Sequence, residues 1–184
     1  NAIGYDERIG NKFLRTGIGF GGGCLPKDIR GFMARAEELG VGSAVDFLKD
    51  VDAINLRRRN RVVELAKQEL GNLGGKRVTM LGISFKPDSD DLRDSPALEI
   101  SQRLTALGAK VTVHDPVSLT PLAIRSPELI REQNLIEAVR GSELVILGTE
   151  WKQYREADPK LLGSLVAKKT VIDGRNVLDV AKSL

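Results

Sequence analysis

Cysteine and histidine each occur once in these 184 residues. A single thiol, Cys24, excludes an internal disulfide, and one imidazole, His114, beside it makes no cluster able to hold zinc. Aromatics are only 4%, and none is interleaved with the densest basic run, Arg57, Arg58, Arg59 and Arg61. Without such stacking partners the run reads as a solvated helix face, not a nucleic-acid surface. An excess of one charge is also missing. Lys and Arg number 28 against 25 Asp and Glu, a net +3 that permits an anionic ligand and little more. No apolar run approaches the roughly 20 residues of a membrane span. The opening NAIGYDERIGNK has neither the basic start nor the apolar core of a signal peptide. These absences predict a cytoplasmic chain with no membrane partner, no nucleic-acid partner and no metal site.

What is present is globular: 41% apolar, 29% charged, with 19 glycines and 7 prolines spread along the chain. Its character changes near GNLGGKR, Gly71 to Arg77. The reading is a helical segment over residues 1–72 and an α/β domain over 73–184. In the first, Pro26 suits the opening of a helix whose apolar residues are Ile29, Phe32, Met33, Ala36 and Leu39, stopped by Gly40. Ser43 with Asp46 resembles a capping box for a second helix running to Gly71. In the second, strands are expected at Arg77 to Phe85, Lys110 to Val113, Leu144 to Leu147 and Thr170 to Ile172. Helices fall between them, at Ser95 to Leu107 and Ile136 to Arg140. Strands alternating with helices predict a parallel, Rossmann-like sheet, because parallel strands need long crossovers.

The chemistry concentrates around Cys24. Most lone cysteines are small buried hydrophobes, but this one follows Gly19, Gly21, Gly22 and Gly23 and precedes a helix start. Glycine lets a backbone approach a ligand closely, and a core thiol has no use for that. A helix N-terminus favours an anion, and the thiolate is the nucleophilic form of cysteine. Lys27 and Arg30 add positive charge, and Lys27 and Asp28 become candidates for phosphate binding and water activation.

The run RIGNKFLRTGIGFGGGCLPKD, Arg8 to Asp28, resembles the cysteine loop of the UDP-glucose 6-dehydrogenases. GISFKPDSDDLRDSPALEI (Gly82 to Ile100) and VIDGRNVLD (Val171 to Asp179) agree in order and spacing, as do VHDP and LGTEW. Two positions depart: Gly23 stands where the family usually has serine, and Leu25 where phenylalanine is commoner. The family's N-terminal NAD-binding domain and its GxGxxG fingerprint do not occur here, so the resemblance implies the C-terminal part of such an enzyme. GDP-mannose 6-dehydrogenases share the Leu25 feature and are the alternative within the family. A non-catalytic nucleotide-binding module is the alternative outside it.

The resemblance implies oxidation of UDP-glucose at C6 to UDP-glucuronate with NAD as cofactor. Cys24 would be the covalent nucleophile and Asp28 would activate the hydrolytic water. Arg15, Thr16, Gly17, Ile18, Gly19, Phe20 and Gly21 would wrap the sugar nucleotide, and Phe85, Lys86 and Arg175 would contact it. Lys27 and Arg93 would meet the cofactor. Arg8 would reach into the substrate site of a second subunit, in a homodimer or higher homo-oligomer. Asp90 and Asp91 read as orienting the following helix, His114 as structural and Trp151 as packing.

Overall fold

In the computed structural model, which describes residues 2–10 and 16–179, the order of elements follows the punctuation of the sequence. A short 3-10 turn, Ala2–Tyr5, precedes helix α1, Leu25–Glu38, which has Pro26 in its first turn. There the missing proline N–H has no helical partner to lose. Gly40 at φ +72° then turns the chain. The expected Ser43 cap does not form. Ser43 lies inside a second 3-10 turn, Gly42–Val45, and α2, Phe47–Leu70, begins from Asp46 in helical conformation with no side-chain cap. The turn feeds helical dihedrals straight into α2, so no extended residue is left to act as a cap.

Five strands then form one all-parallel sheet in the order β3-β2-β1-β4-β5. They are β1 Arg77–Leu81, β2 Lys110–His114, β3 Ile130–Arg131, β4 Leu144–Leu147 and β5 Val171–Asp173. Helices α3 Pro96–Ala106, α4 Leu119–Arg125, α5 Leu135–Val139, α6 Lys152–Arg155 and α7 Pro159–Leu165 connect them. The Rossmann-like expectation is met. The first strand is shorter than expected, since it ends at Leu81 and not at Phe85. At Gly82 the backbone takes φ +85°, and a Cβ there would lie 2.8 Å from the backbone nitrogen of Thr149. Gly82 donates to the His114 carbonyl (2.8 Å), and the chain leaves the sheet. Ser95 caps α3 by accepting from Leu98 N–H, as its place before Pro96 suggests.

Alternation along the strands loads both faces of the sheet. Val78, Met80, Leu144 and Ile146 meet Leu98, Ile100 and Leu104 of α3 and Val62, Val63 and Ala66 of α2. Leu81, Val145 and Leu147 meet Val139, Trp151 and Tyr154 on the other face. The second half of α2 thus shares one core with the sheet. Fully burying side chains of this size stabilises by about 1.5–3 kcal/mol each. The first half of the helical segment differs. Of the apolar face expected on α1, Phe32 and Leu39 are exposed, Ile29 and Met33 half-buried and Ala36 buried, and beyond it Val41, Phe47 and Ile54 are exposed. Among the described residues no helix is long and apolar enough to cross a membrane.

Candidate functional site

Gly19 and Gly21 are where the loop needs glycine. Gly19 has φ +108°, and a Cβ there would sit 2.4 Å from Asn55 Oδ1. A Cβ at Gly21 would sit 2.2 Å from the Asp94 carbonyl oxygen. The loop therefore presses against α2 on one side and the segment before α3 on the other. The peptide of Phe20 is held at both ends. Its N–H donates to Asn55 Oδ1 (2.8 Å), and its carbonyl accepts from Asn55 Nδ2 (3.0 Å) and Arg59 Nη2 (3.1 Å).

Arg59 corrects the sequence reading. Of the four clustered arginines, Arg57, Arg58 and Arg61 are exposed, but Arg59 is 1% exposed. It follows Asn55 by one turn, on the face that continues into Val62, Val63 and Ala66. Its guanidinium pairs with Asp94 (2.9 Å) and with Glu99 of α3. The second Asp94 oxygen accepts from Arg30 of α1 (2.9 Å), which also pairs with Asp52 of α2 (3.0 Å). Two buried polar residues on α2 thus fasten the glycine loop to both helices and to the sheet domain. Asn55 has no place in the sequence reading, and Arg59 stands there only within a solvated helix face. Their i, i+4 spacing on an otherwise apolar face was the available signal.

Cys24 lies at the N-terminal end of α1, exposed, with its carbonyl accepting from Asp28 N–H (2.8 Å). Asp28 is one turn further on, exposed, and paired with Lys27 (3.2 Å). Arg93 lies across Gly23, where a Cβ would be 2.3 Å from its Cζ. The guanidinium therefore fills the space that a side chain at position 23 would take. Arg93 is held above its ordinary pKa first by hydrogen bonds to Asp91 and, in smaller part, by the neighbouring Cys24 sulfur. Asp91 is held below the usual carboxylate range by the same pairing. The Phe85 ring packs on Gly22, 2.8 Å from where a Cβ would be, and Lys86 Nζ stands 5.4 Å from the centre of that ring.

A second convergence lies alongside. A Cβ at Gly17 would be 3.1 Å from Arg175 Nη1, and Asn176 Nδ2 donates to Thr16 Oγ1 (3.4 Å) across 160 residues of chain. Asp173 shapes this loop by accepting from the N–H groups of Arg175, Val177 and Leu178. The Arg175 side chain turns away from Asp173 to a two-pronged pair with Glu150 (2.6 and 3.0 Å). Ile18 is buried in the core, so its side chain is not available to a ligand. Arg15 lies outside the described residues. Arg8 is exposed, with its guanidinium engaged by Asp6 (2.6 Å), and no hydrogen bond among the described residues ties it to this cluster. His114 is structural: Nδ1 meets Tyr154 Oη (2.7 Å) and Nε2 the Gln133 carbonyl (3.1 Å). Trp151 does more than pack, since its indole N–H donates to the buried carboxylate of Asp115 (3.3 Å).

Residues 79–180 match the UDP-binding domain of the UDP-glucose/GDP-mannose dehydrogenase family, and residues 1–57 match that family's central domain. A UDP-glucose 6-dehydrogenase of Pseudomonas aeruginosa is 36% identical over 98% of this chain, and one of Bacillus subtilis is 34% identical over 99%. The chain spans 41% of the length of each. A UDP-glucose dehydrogenase structure from Pyrobaculum islandicum superposes with TM-score 0.83 at 36% identity, covering 96% of this chain and 39% of its own. A GDP-mannose dehydrogenase structure from Pseudomonas aeruginosa shares the fold, with TM-score 0.79 at 23% identity, over 96% of this chain and 41% of its own.

Proposed function

This chain belongs to the UDP-glucose/GDP-mannose dehydrogenase family, and from that premise we propose that it is the C-terminal portion of a UDP-glucose 6-dehydrogenase. The reaction is oxidation of the C6 alcohol of UDP-glucose to the acid in two steps. The observation that carries this reading is the packing of Phe85 on Gly22, two residues from Cys24. It supports the reading because it sets Phe85 and Lys86, the proposed sugar-nucleotide contacts, beside the loop that carries an exposed thiol.

The cofactor of such a reaction is NAD, which when bound would accept one hydride at each oxidation, so that two equivalents are consumed per sugar nucleotide. The residues present fit its anionic end, because Lys27 and Arg93 are exposed cations flanking Cys24. These are the residues of this chain that would hold its phosphates.

The other roles follow from placement. The Cys24 sulfur adds to the C6 aldehyde, and a thiohemiacetal keeps that reactive carbon on the protein between the two oxidations. After the second oxidation the carbon is held as a thioester. Water adds to it, Asp28 accepts the water's proton, and the thiolate leaves as the acid is released. Lys86 makes charge-assisted hydrogen bonds to the diphosphate. Phe85 buttresses the glycine loop, and Arg175, oriented by Glu150, faces the sugar nucleotide beside Thr16 and Gly17. Backbone groups of residues 16–21 not already taken inside the protein, as that of Phe20 is, remain for the ligand.

The functional unit is a homodimer or a higher homo-oligomer. The exposed Phe32, Leu39, Val41, Phe47 and Ile54 supply an apolar surface for it, and Arg8 is exposed to reach a second subunit. The test of substrate is stoichiometry. The full-length protein should form two NADH per UDP-glucose consumed and far less with GDP-mannose. Preference for GDP-mannose would transfer the assignment to the sister activity, and no NADH with either sugar nucleotide would remove it.

A further inference from the structure

Asp115, just after β2, is 2% exposed, and no lysine or arginine pairs with it among the described residues. Its charge is met by neutral donors alone. Oδ2 accepts from Ile83 N–H (2.8 Å), Ser84 N–H (3.3 Å), Ser84 Oγ (3.1 Å) and Trp151 Nε1 (3.3 Å). Oδ1 accepts from Val117 N–H (3.0 Å) and Ser118 N–H (2.9 Å). These donors come from three loops, those that follow β1, β2 and β4. With β1 lying between β2 and β4, this is where the sheet reverses its winding and where open α/β sheets place their ligands.

What each loop carries matters. Ile83 and Ser84 run directly into Phe85 and Lys86. Trp151 follows Glu150, the partner of Arg175. Other bonds complete the tie: Ser95 Oγ donates to the Ile83 carbonyl (2.6 Å) and Thr149 Oγ1 to that of Ser84. A buried, unpaired carboxylate is a costly way to hold loops that water could otherwise solvate. Its benefit is one fixed arrangement.

We propose that Asp115 is a positioning residue for nucleotide-sugar recognition, setting the Phe85–Lys86 pair and the Glu150–Arg175 pair relative to one another. It does so without touching the substrate. This inference rests on the functional reading above.

The decisive variant is Asp115→Asn in the full-length protein. An amide presents an N–H to at least one prong of the donor fork, so one loop loses its anchor. The KM for UDP-glucose should rise at least tenfold, kcat per active site should stay within threefold, and the KM for NAD should not change. A purely structural role would instead lower the active fraction, and with it apparent kcat, at constant KM. Trp151→Phe and Ser84→Ala each remove one donor and leave the carboxylate. Both should raise the KM for UDP-glucose severalfold, with a lowered Tm that still leaves the protein folded at the assay temperature. If Asp115→Asn does not fold, these two carry the test, and unchanged KM values in both overturn the inference. Unchanged KM in a folded Asp115→Asn overturns it equally. If the parent protein itself shows no saturation with UDP-glucose, the functional reading fails and this inference falls with it.

Discussion

Lys86 is the residue on which the substrate reading is most exposed to single-site test. It is solvent-exposed past the end of β1 with its ammonium near the Phe85 ring, so it serves no core. A charge-assisted hydrogen bond contributes about 1.5–3 kcal/mol, and Lys86→Ala should weaken UDP binding about 10- to 150-fold with unchanged Tm. Calorimetric titration with UDP reads this directly; an unaltered Kd discards the contact. His114 makes a different prediction. Burial holds its imidazole below the ordinary value of 6.5, so the folded chain binds its proton less well than the unfolded chain. Its contribution is fully present above about pH 6.5 and is lost as pH falls, with a slope of at most about 1.4 kcal/mol per pH unit. The carboxylates held low by arginine or lysine, such as Asp91 and Glu143, lose theirs only near pH 4 and below. Urea denaturation between pH 7.5 and 5 should therefore show falling stability that His114→Gln flattens. Equal slopes in both proteins would contradict the assignment.

Among elements, α2 is the one whose role the sequence half concealed. Its apolar periodicity placed it correctly, but a run of arginines reads as solvated because charge normally is. Only the tertiary position of Asp94 and Glu99, each about 40 residues away, turns Arg59 inward. Breaking a buried pair by deleting one partner costs about 3–5 kcal/mol. Arg59→Met should approach the lower end of that range, since Asp94 and Glu99 keep some access to water, with Arg59→Lys between it and the parent. A loss below about 0.5 kcal/mol in urea unfolding would mean α2 does not clamp the loop. The strands β1, β2, β4 and β5 were legible because buried parallel strands read as short β-branched runs. β3 was not, having two residues, and α4, α6 and α7 are too short for periodicity to show. The overlong first strand has the same origin. Ile83 continues the apolar run, but the close approach of Thr149 to Gly82 is a long-range contact that no local pattern encodes.

Across the whole molecule, the proposed site residues Cys24, Phe85, Lys86, Arg93 and Arg175 are the ones to which the spaced motifs point. Those that hold them are not marked out: Asn55 and Arg59 lie outside the motifs, and Asp94, Asp115 and Glu150 lie inside the matching runs with nothing local to show what they bind. They are polar side chains whose partners lie tens of residues away, and locally they resemble surface. A parallel sheet and two helices converge on one glycine loop, so that an exposed thiol stands among ion pairs, Lys27–Asp28 and Arg93–Asp91, on a backbone held from both sides. At its heart stands Cys24, the proposed covalent centre. Cys24→Ser in the full-length protein tests that most directly, with UDP-glucuronate formation and Tm measured together. Tm should be unchanged and net oxidation to the acid lost, because the hydroxyl cannot replace the thiol as nucleophile and leaving group. A folded Cys24→Ser protein that makes UDP-glucuronate at the parent rate would contradict it.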